Sequence, residues 1–97
     1  MTRAKANATV LVEDGAVRVT RFDFAPGAET GWHRHGMDYV ITAITDCAML
    51  LEDPDGGRRE VMVPAGEAYA RAAGVEHNVI NRGTGPMRFI EIELKPR

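Results

Sequence analysis

Three histidines carry most of the chemistry open to this 97-residue chain: His33, His35 and His77. Two of them form a His-x-His pair inside Gly31-Trp-His-Arg-His-Gly36, just ahead of a strand-like run. In extended chain, residues i and i+2 point to the same face, so both imidazoles can be offered to one point. A shared metal ion requires that geometry. A third imidazole from a distant strand would close a facial set, and Gly74-Val-Glu-His77-Asn is the remaining source. A bare His-x-His beside a turn is more often a pair of surface histidines, and these residues alone leave that reading open. Neutral imidazole suits a divalent transition metal such as Fe, Ni, Cu, Zn or Mn, and suits Mg or Ca poorly. Three neutral ligands leave the full charge of such an ion uncompensated. A carboxylate or other chelating anion is then a favoured further ligand, at positions that catalytic sites keep open.

Short strands must hold these side chains. Turn signals recur along the chain: Glu13-Asp-Gly15, Ala25-Pro-Gly27, Asp53-Pro-Asp-Gly-Gly57, Pro64-Ala-Gly66, Ala73-Gly74 and Arg82-Gly-Thr-Gly-Pro86. Proline presets φ there, and glycine accepts the positive φ of tight turns. Between them lie β-type runs at Thr9–Val12, Val17–Phe24, Tyr39–Ile44, Ala48–Leu51, Glu60–Val63, Ala68–Arg71, His77–Asn81 and Met87–Leu94. Period-two alternation is clearest in Val17–Phe24 and Met87–Leu94, and no segment holds a helical period. The pattern predicts an all-β antiparallel sandwich or barrel. Tyr39–Ile44 is apolar on both faces, so an outer face covered by a second copy is expected, which makes a homodimer.

The spacing resembles that of the cupin superfamily. Its first motif runs Gly, five residues, His-x-His, three or four residues, Glu, six residues, Gly, and Gly27 with His33-Arg-His35 matches its start. Its second runs Gly, five residues, Pro-x-Gly, two residues, His, three residues, Asn, and Gly66, Gly74, His77 and Asn81 fall in register. The resemblance implies one cupin domain over residues 1–97, folded as an antiparallel double-stranded β-helix, with His33, His35 and His77 as metal ligands. The motif proline is Ala72. The motif glutamate, a fourth ligand in many cupins, falls on Tyr39 or Val40, and the closing glycine on Asp46 or Cys47. Asp38 has the opposite strand parity. More narrowly, Gly31–Val40 and Gly74–Asn81 are similar to small bacterial cupins grouped with β-alanine degradation proteins. Three-histidine cupins resemble iron-dependent dioxygenases of thiol acids and diketones, and others are lyases or isomerases.

Other residues are weighed by position. Tyr39, if it points inward beside the histidines, could hydrogen-bond a substrate or water; a core tyrosine is the competing reading. Cys47 reads as a buried free thiol, Trp32 as a packing residue, and Arg34 and Asp38 as surface. Arg71 and Arg88 are candidates for pairing a substrate carboxylate, and Asn81 for fixing a turn. Twelve basic against 14 acidic residues give a net charge of −2, which offers nucleic acid no basic footprint. No apolar run approaches the roughly 20 residues of a membrane helix, and the Met1-Thr-Arg-Ala-Lys start lacks the apolar stretch of a signal peptide. A single cysteine suits a reducing compartment, and the reading is cytoplasmic. The function expected is a metal-dependent enzyme acting on a small organic anion, with a non-catalytic binding or sensing module as the alternative.

Overall fold

The two segments with the clearest alternation are neighbours in space. The computed structural model describes residues 2–96. Its strands are β1 (Asn7–Glu13), β2 (Val17–Phe24), β3 (His33–Arg34), β4 (Asp38–Ala43), β5 (Cys47–Glu52), β6 (Arg58–Val63), β7 (Ala68–Arg71), β8 (Glu76–Asn81) and β9 (Met87–Leu94). β2 and β9 run antiparallel in full register, from Val17 opposite Leu94 to Phe24 opposite Met87. They sit within a five-stranded sheet of order β1-β2-β9-β4-β7, which faces a four-stranded sheet of order β3-β8-β5-β6. Every strand pairing is antiparallel, giving the all-β jelly roll. Among the described residues no helix is long and apolar enough to cross a membrane.

The core lies between the two inner faces. On β4, Tyr39, Ile41 and Ala43 are buried while Val40 and Thr42 are only half-buried. On β9, Met87, Phe89 and Glu91 are buried, and Ile90 and Ile92 face the other way. Phe89 meets Phe22 and Phe24 with ring centroids 5.4 Å apart in both cases. Each such ring or thioether taken fully from water contributes about 1.5–3 kcal/mol. Asn81, also buried, donates from Nδ2 to the carbonyls of Ala25 (3.2 Å) and Gly85 (2.9 Å) and accepts from Gly83 N–H (3.0 Å). One side chain thus fixes two turns.

Two outcomes differ from the sequence reading. β3, only two residues long, was not foreseen. Trp32 does not floor the pocket: within the single chain it is 57% exposed, because the alternation that turns His33 and His35 inward turns Trp32 and Arg34 outward.

Candidate metal centre

The histidines meet through one strand pairing. In the β3–β8 ladder His33 is directly opposite His77, and Arg34 is opposite Glu76. Directly opposed residues share a face of the sheet, and His35, two residues on from His33, shares it too. Backbone bonds carry the ladder past β3: His35 N–H donates to Val75 O and Gly74 N–H to His35 O, both at 2.8 Å. Glycine is required at the turns on either side. Gly31 has φ 86° and Gly74 φ 100°, and a Cβ on Gly31 would lie 2.6 Å from Lys5 Nζ.

The loop before His33 is braced from below by Asn78, a side chain only 1% exposed. Its Oδ1 accepts Gly31 N–H at 3.0 Å, while its Nδ2 donates to Glu29 Oε1 (2.8 Å) and Glu52 Oε1 (3.0 Å). The Thr30 hydroxyl accepts Val79 N–H at 3.1 Å and donates to Gly31 O at 2.9 Å.

The ring nitrogens converge. His35 Nε2 stands 3.0 Å from His33 Nε2 and 3.1 Å from His77 Nε2. One ligand nitrogen from each histidine lies within 4.8 Å of the others. His33 Nδ1 is 2.9 Å from the Gly31 carbonyl, which can only accept, so Nδ1 carries the proton and Nε2 the lone pair. His35 Nδ1 faces Glu91 Oε1 at 3.7 Å, which favours the same tautomer. Lone pairs this close repel unless a cation lies between them. Two nitrogens about 2.1 Å from one ion stand about 3.0 Å apart at a right angle and about 3.4 Å at the tetrahedral angle. The two spacings made by His35 are near the right-angled value, and the third pair lies within 4.8 Å. The residues therefore fit a divalent metal ion.

Burial tunes the surrounding groups. Desolvation, with the neighbouring His33 adding to it, pushes His35 and His77 from the ordinary 6.5 down to about 4, so both rings are neutral ligands at neutral pH. Burial pushes Glu91 up to about 7; Glu93 adds to this and Arg18 opposes it. Tyr39 is buried and stacks on His35, with centroids 3.8 Å apart and an interplanar angle of 18°. Its phenol is raised to about 12, mainly by burial, and stays protonated.

Sequence reasoning missed Glu91. The signal was its parity with Phe89 on β9, hidden because glutamate in an alternating strand ordinarily marks the solvent face. Asp38 is exposed and accepts Ala73 N–H at 2.8 Å, so it caps a turn on the outside. The Cys47 thiol is buried, raised by desolvation, and donates toward the carbonyls of Thr45 (3.3 Å) and Arg88 (3.5 Å). Arg88 lies on the outer face, bonded to Asp23.

The pocket at the histidines is tight, about 20 Å³, and is walled largely by Phe22, Tyr39, Ile41, Met49, Tyr69 and Phe89. That is room for about one water. Two larger openings flank it. One of about 260 Å³ is lined by Arg34, Glu91 and Glu93, and one of about 200 Å³ by Arg59, Arg71 and Tyr69.

Comparison with known proteins places this arrangement. The model of the Cupin domain family matches residues 20–93. The chain belongs to the cupin family. It is 54% identical over 93 residues to the beta-alanine degradation protein BauB of Pseudomonas aeruginosa, covering 96% of this chain and 97% of that protein. A crystal structure of a cupin domain from Bordetella pertussis superposes with a TM-score of 0.94 at 46% identity, covering 99% of each chain. The polyketide cyclase RemF of Streptomyces resistomycificus shares the cupin fold, with a TM-score of 0.73 at 23% identity over 100% of this chain and 72% of that one. Against the cupin motif, the glutamate position holds Tyr39 or Val40, and the nearest acid in sequence, Asp38, is turned out of the barrel.

Proposed function

We propose that this cupin is a metal-dependent enzyme acting on small organic acids, with His33, His35 and His77 holding one divalent transition metal. The observation behind this reading is the convergence of Nε2 atoms at 3.0 and 3.1 Å in a cluster that, among the described residues, includes no carboxylate. Bound there, such an ion supplies Lewis-acid or redox chemistry at open positions. The protein's own groups would do the rest. Glu91 orients the His35 ring from its far side. Tyr39 stacks on that ring and keeps its phenolic proton, so it can donate a hydrogen bond to a bound oxygen. The aromatic wall narrows the pocket at the histidines to room for about one water. The similarity to a relative named as a beta-alanine degradation protein supports a short organic acid as the substrate class. A reducing cytoplasmic setting agrees with the single buried thiol, and we further propose that the working unit is a homodimer.

Elemental analysis of freshly purified protein, followed by turnover assays with the metal found, tests the enzymatic reading. One equivalent of metal with turnover of a short organic acid supports it. Metal and ligand binding without turnover would instead make the protein a binding or sensing module.

A further inference from the structure

The arginines sort themselves by their partners. Arg3, Arg18, Arg21, Arg58, Arg59, Arg82 and Arg88 each pair with a carboxylate. Among the described residues, Arg34 and Arg71 make no such pair. Arg34 is exposed beside the opening that Glu91 and Glu93 line. Arg71 is different. It is the cross-strand partner of Tyr39, so it shares the barrel-facing side of the sheet with the tyrosine that stacks on His35.

Topology leaves this side open. β7 ends one sheet and β6 ends the other, and the two edges are not paired. Between them the cavity of about 200 Å³ is lined by Tyr39, Arg59, Val61, Tyr69, Arg71 and His77. It runs from solvent to a histidine of the cluster. The Arg71 guanidinium lies over the Tyr69 ring at 4.7 Å and donates from Nη1 to Ala70 O at 2.9 Å. Those two contacts orient it while leaving its other N–H donors unassigned. Arg59, across the opening, is held by Asp53 through two bonds of 3.1 and 3.0 Å. The uncompensated charge of this mouth is therefore that of Arg71, whereas the opposite mouth carries two glutamates against one arginine.

We propose that Arg71 is the specificity-determining residue for the substrate carboxylate. The ligand class is a short-chain acid whose carboxylate is forked by Arg71 and whose far end bears a second polar group directed at the histidines. This deepens the reading of the histidines as a metal centre and rests on it. A planar guanidinium presents two parallel N–H donors to a carboxylate, which lysine cannot reproduce. Aromatic rings and Val61 line the path between, which suits a short aliphatic linker.

The test uses two probes that differ only in the acid group, 3-hydroxypropanoate and 3-hydroxypropanamide. Each is titrated into chelator-treated and metal-loaded full-length protein. Binding is read from the side-chain Nε–H resonances of arginine and from tyrosine fluorescence, without any turnover. The acid should perturb the Arg71 and Tyr69 signals in both forms and bind more tightly to the metal-loaded one. Arg71→Gln should weaken acid binding about 10-fold or more, Arg71→Lys by less, and Arg34→Gln within twofold of wild type. Arg71 is exposed, so its substitution should leave the fold intact. Acid binding unchanged in Arg71→Gln, equal binding of acid and amide, or no saturable acid binding up to about 10 mM would each overturn the assignment. If metal adds nothing to an Arg71-dependent affinity, the metal reading fails while the carboxylate assignment stands.

Discussion

His35 occupies the middle of the candidate site, within 3.1 Å of both other imidazoles and stacked on Tyr39. Its neighbours set what each substitution should do. His77→Ala removes one of the three proposed ligands, and the purified variant should retain less than about a tenth of the metal held by wild type. Asp38→Asn should keep it all, because that carboxylate binds a backbone N–H outside the barrel; comparable metal loss in this variant would show that a fourth protein ligand exists. Tyr39→Phe preserves the stacked ring and should also retain metal while weakening any ligand that accepts from the phenol. Acid sensitivity follows at the same scale. In the metal-free protein His35 and His77 protonate near 4, against 6.5 in open chain, so between those values the unfolded state binds protons that the folded state refuses. Stability should fall as pH is lowered through that window. Glu91 works the other way: raised from 4.5 to about 7, it holds a proton when folded that it lacks when unfolded, and so favours the fold on acidification. Two histidines outweigh one glutamate, and Tm of chelator-treated protein should drop between pH 6.5 and pH 4.5. Glu91→Gln should steepen that drop. A Tm that rises on acidification would contradict the balance.

At the scale of elements, the site depends on β3, a strand of two residues that exists only because β8 pairs with it. Asn78 holds that arrangement, donating to two carboxylates and accepting from the His33 loop. Asn78→Asp would set a third carboxylate against Glu29 and Glu52 and delete both donated bonds. The cost should be about 3 kcal/mol or more, although the Oδ1 that accepts Gly31 N–H is retained. Asn78→Ala should destabilise less; an Asp variant as stable as the Ala variant would remove the charge argument. Local pattern made much of the framework legible. Val17–Phe24, Ala68–Arg71 and Met87–Leu94 have the observed strand limits because alternation and flanking turns coincide there. The same-face logic put His33 and His35 together, and motif spacing brought in His77. What escaped was whatever depends on long-range register. β3 has no signal of its own, Asn78 is one polar residue in a strand buried on both sides, and Arg59 and Arg71 share a mouth only because two sheet edges end near each other. Glu91 escaped for a different reason: β9 turns its acids inward and its isoleucines outward, inverting the usual polarity of a half-exposed strand.

That inversion matters most for the whole molecule. β9 is the central strand of the five-stranded sheet, and its outward residues Ile90 and Ile92 sit among Val19 on β2 and Val40 and Thr42 on β4. All five are only half-buried or exposed to similar degree in the single chain, and Val12, Ile44 and Leu94 around them are each 45% exposed. A solvent face ought to be polar, and this one is apolar at its centre, with Arg21, Asp23 and Arg88 grouped at one end. Five strands about 4.8 Å apart and six residues long present roughly 500 Å² in projection. Two such faces apposed would bury about 1,000 Å² before side-chain relief is counted, close to the ~1,200 Å² at which stable interfaces begin. A second copy, packed about a two-fold axis crossing near β9, satisfies both the composition and the area. Sedimentation equilibrium should therefore give a dimer at micromolar concentration. Ile92→Lys would bring like charges together near that axis and should yield a folded monomer that still carries its metal, since the substitution faces away from the histidines. If wild type sediments as a monomer, the apolar face belongs to some other partner. If Ile92→Lys remains dimeric, the two copies meet elsewhere, and the exposed edge strand β1 becomes the surface to examine.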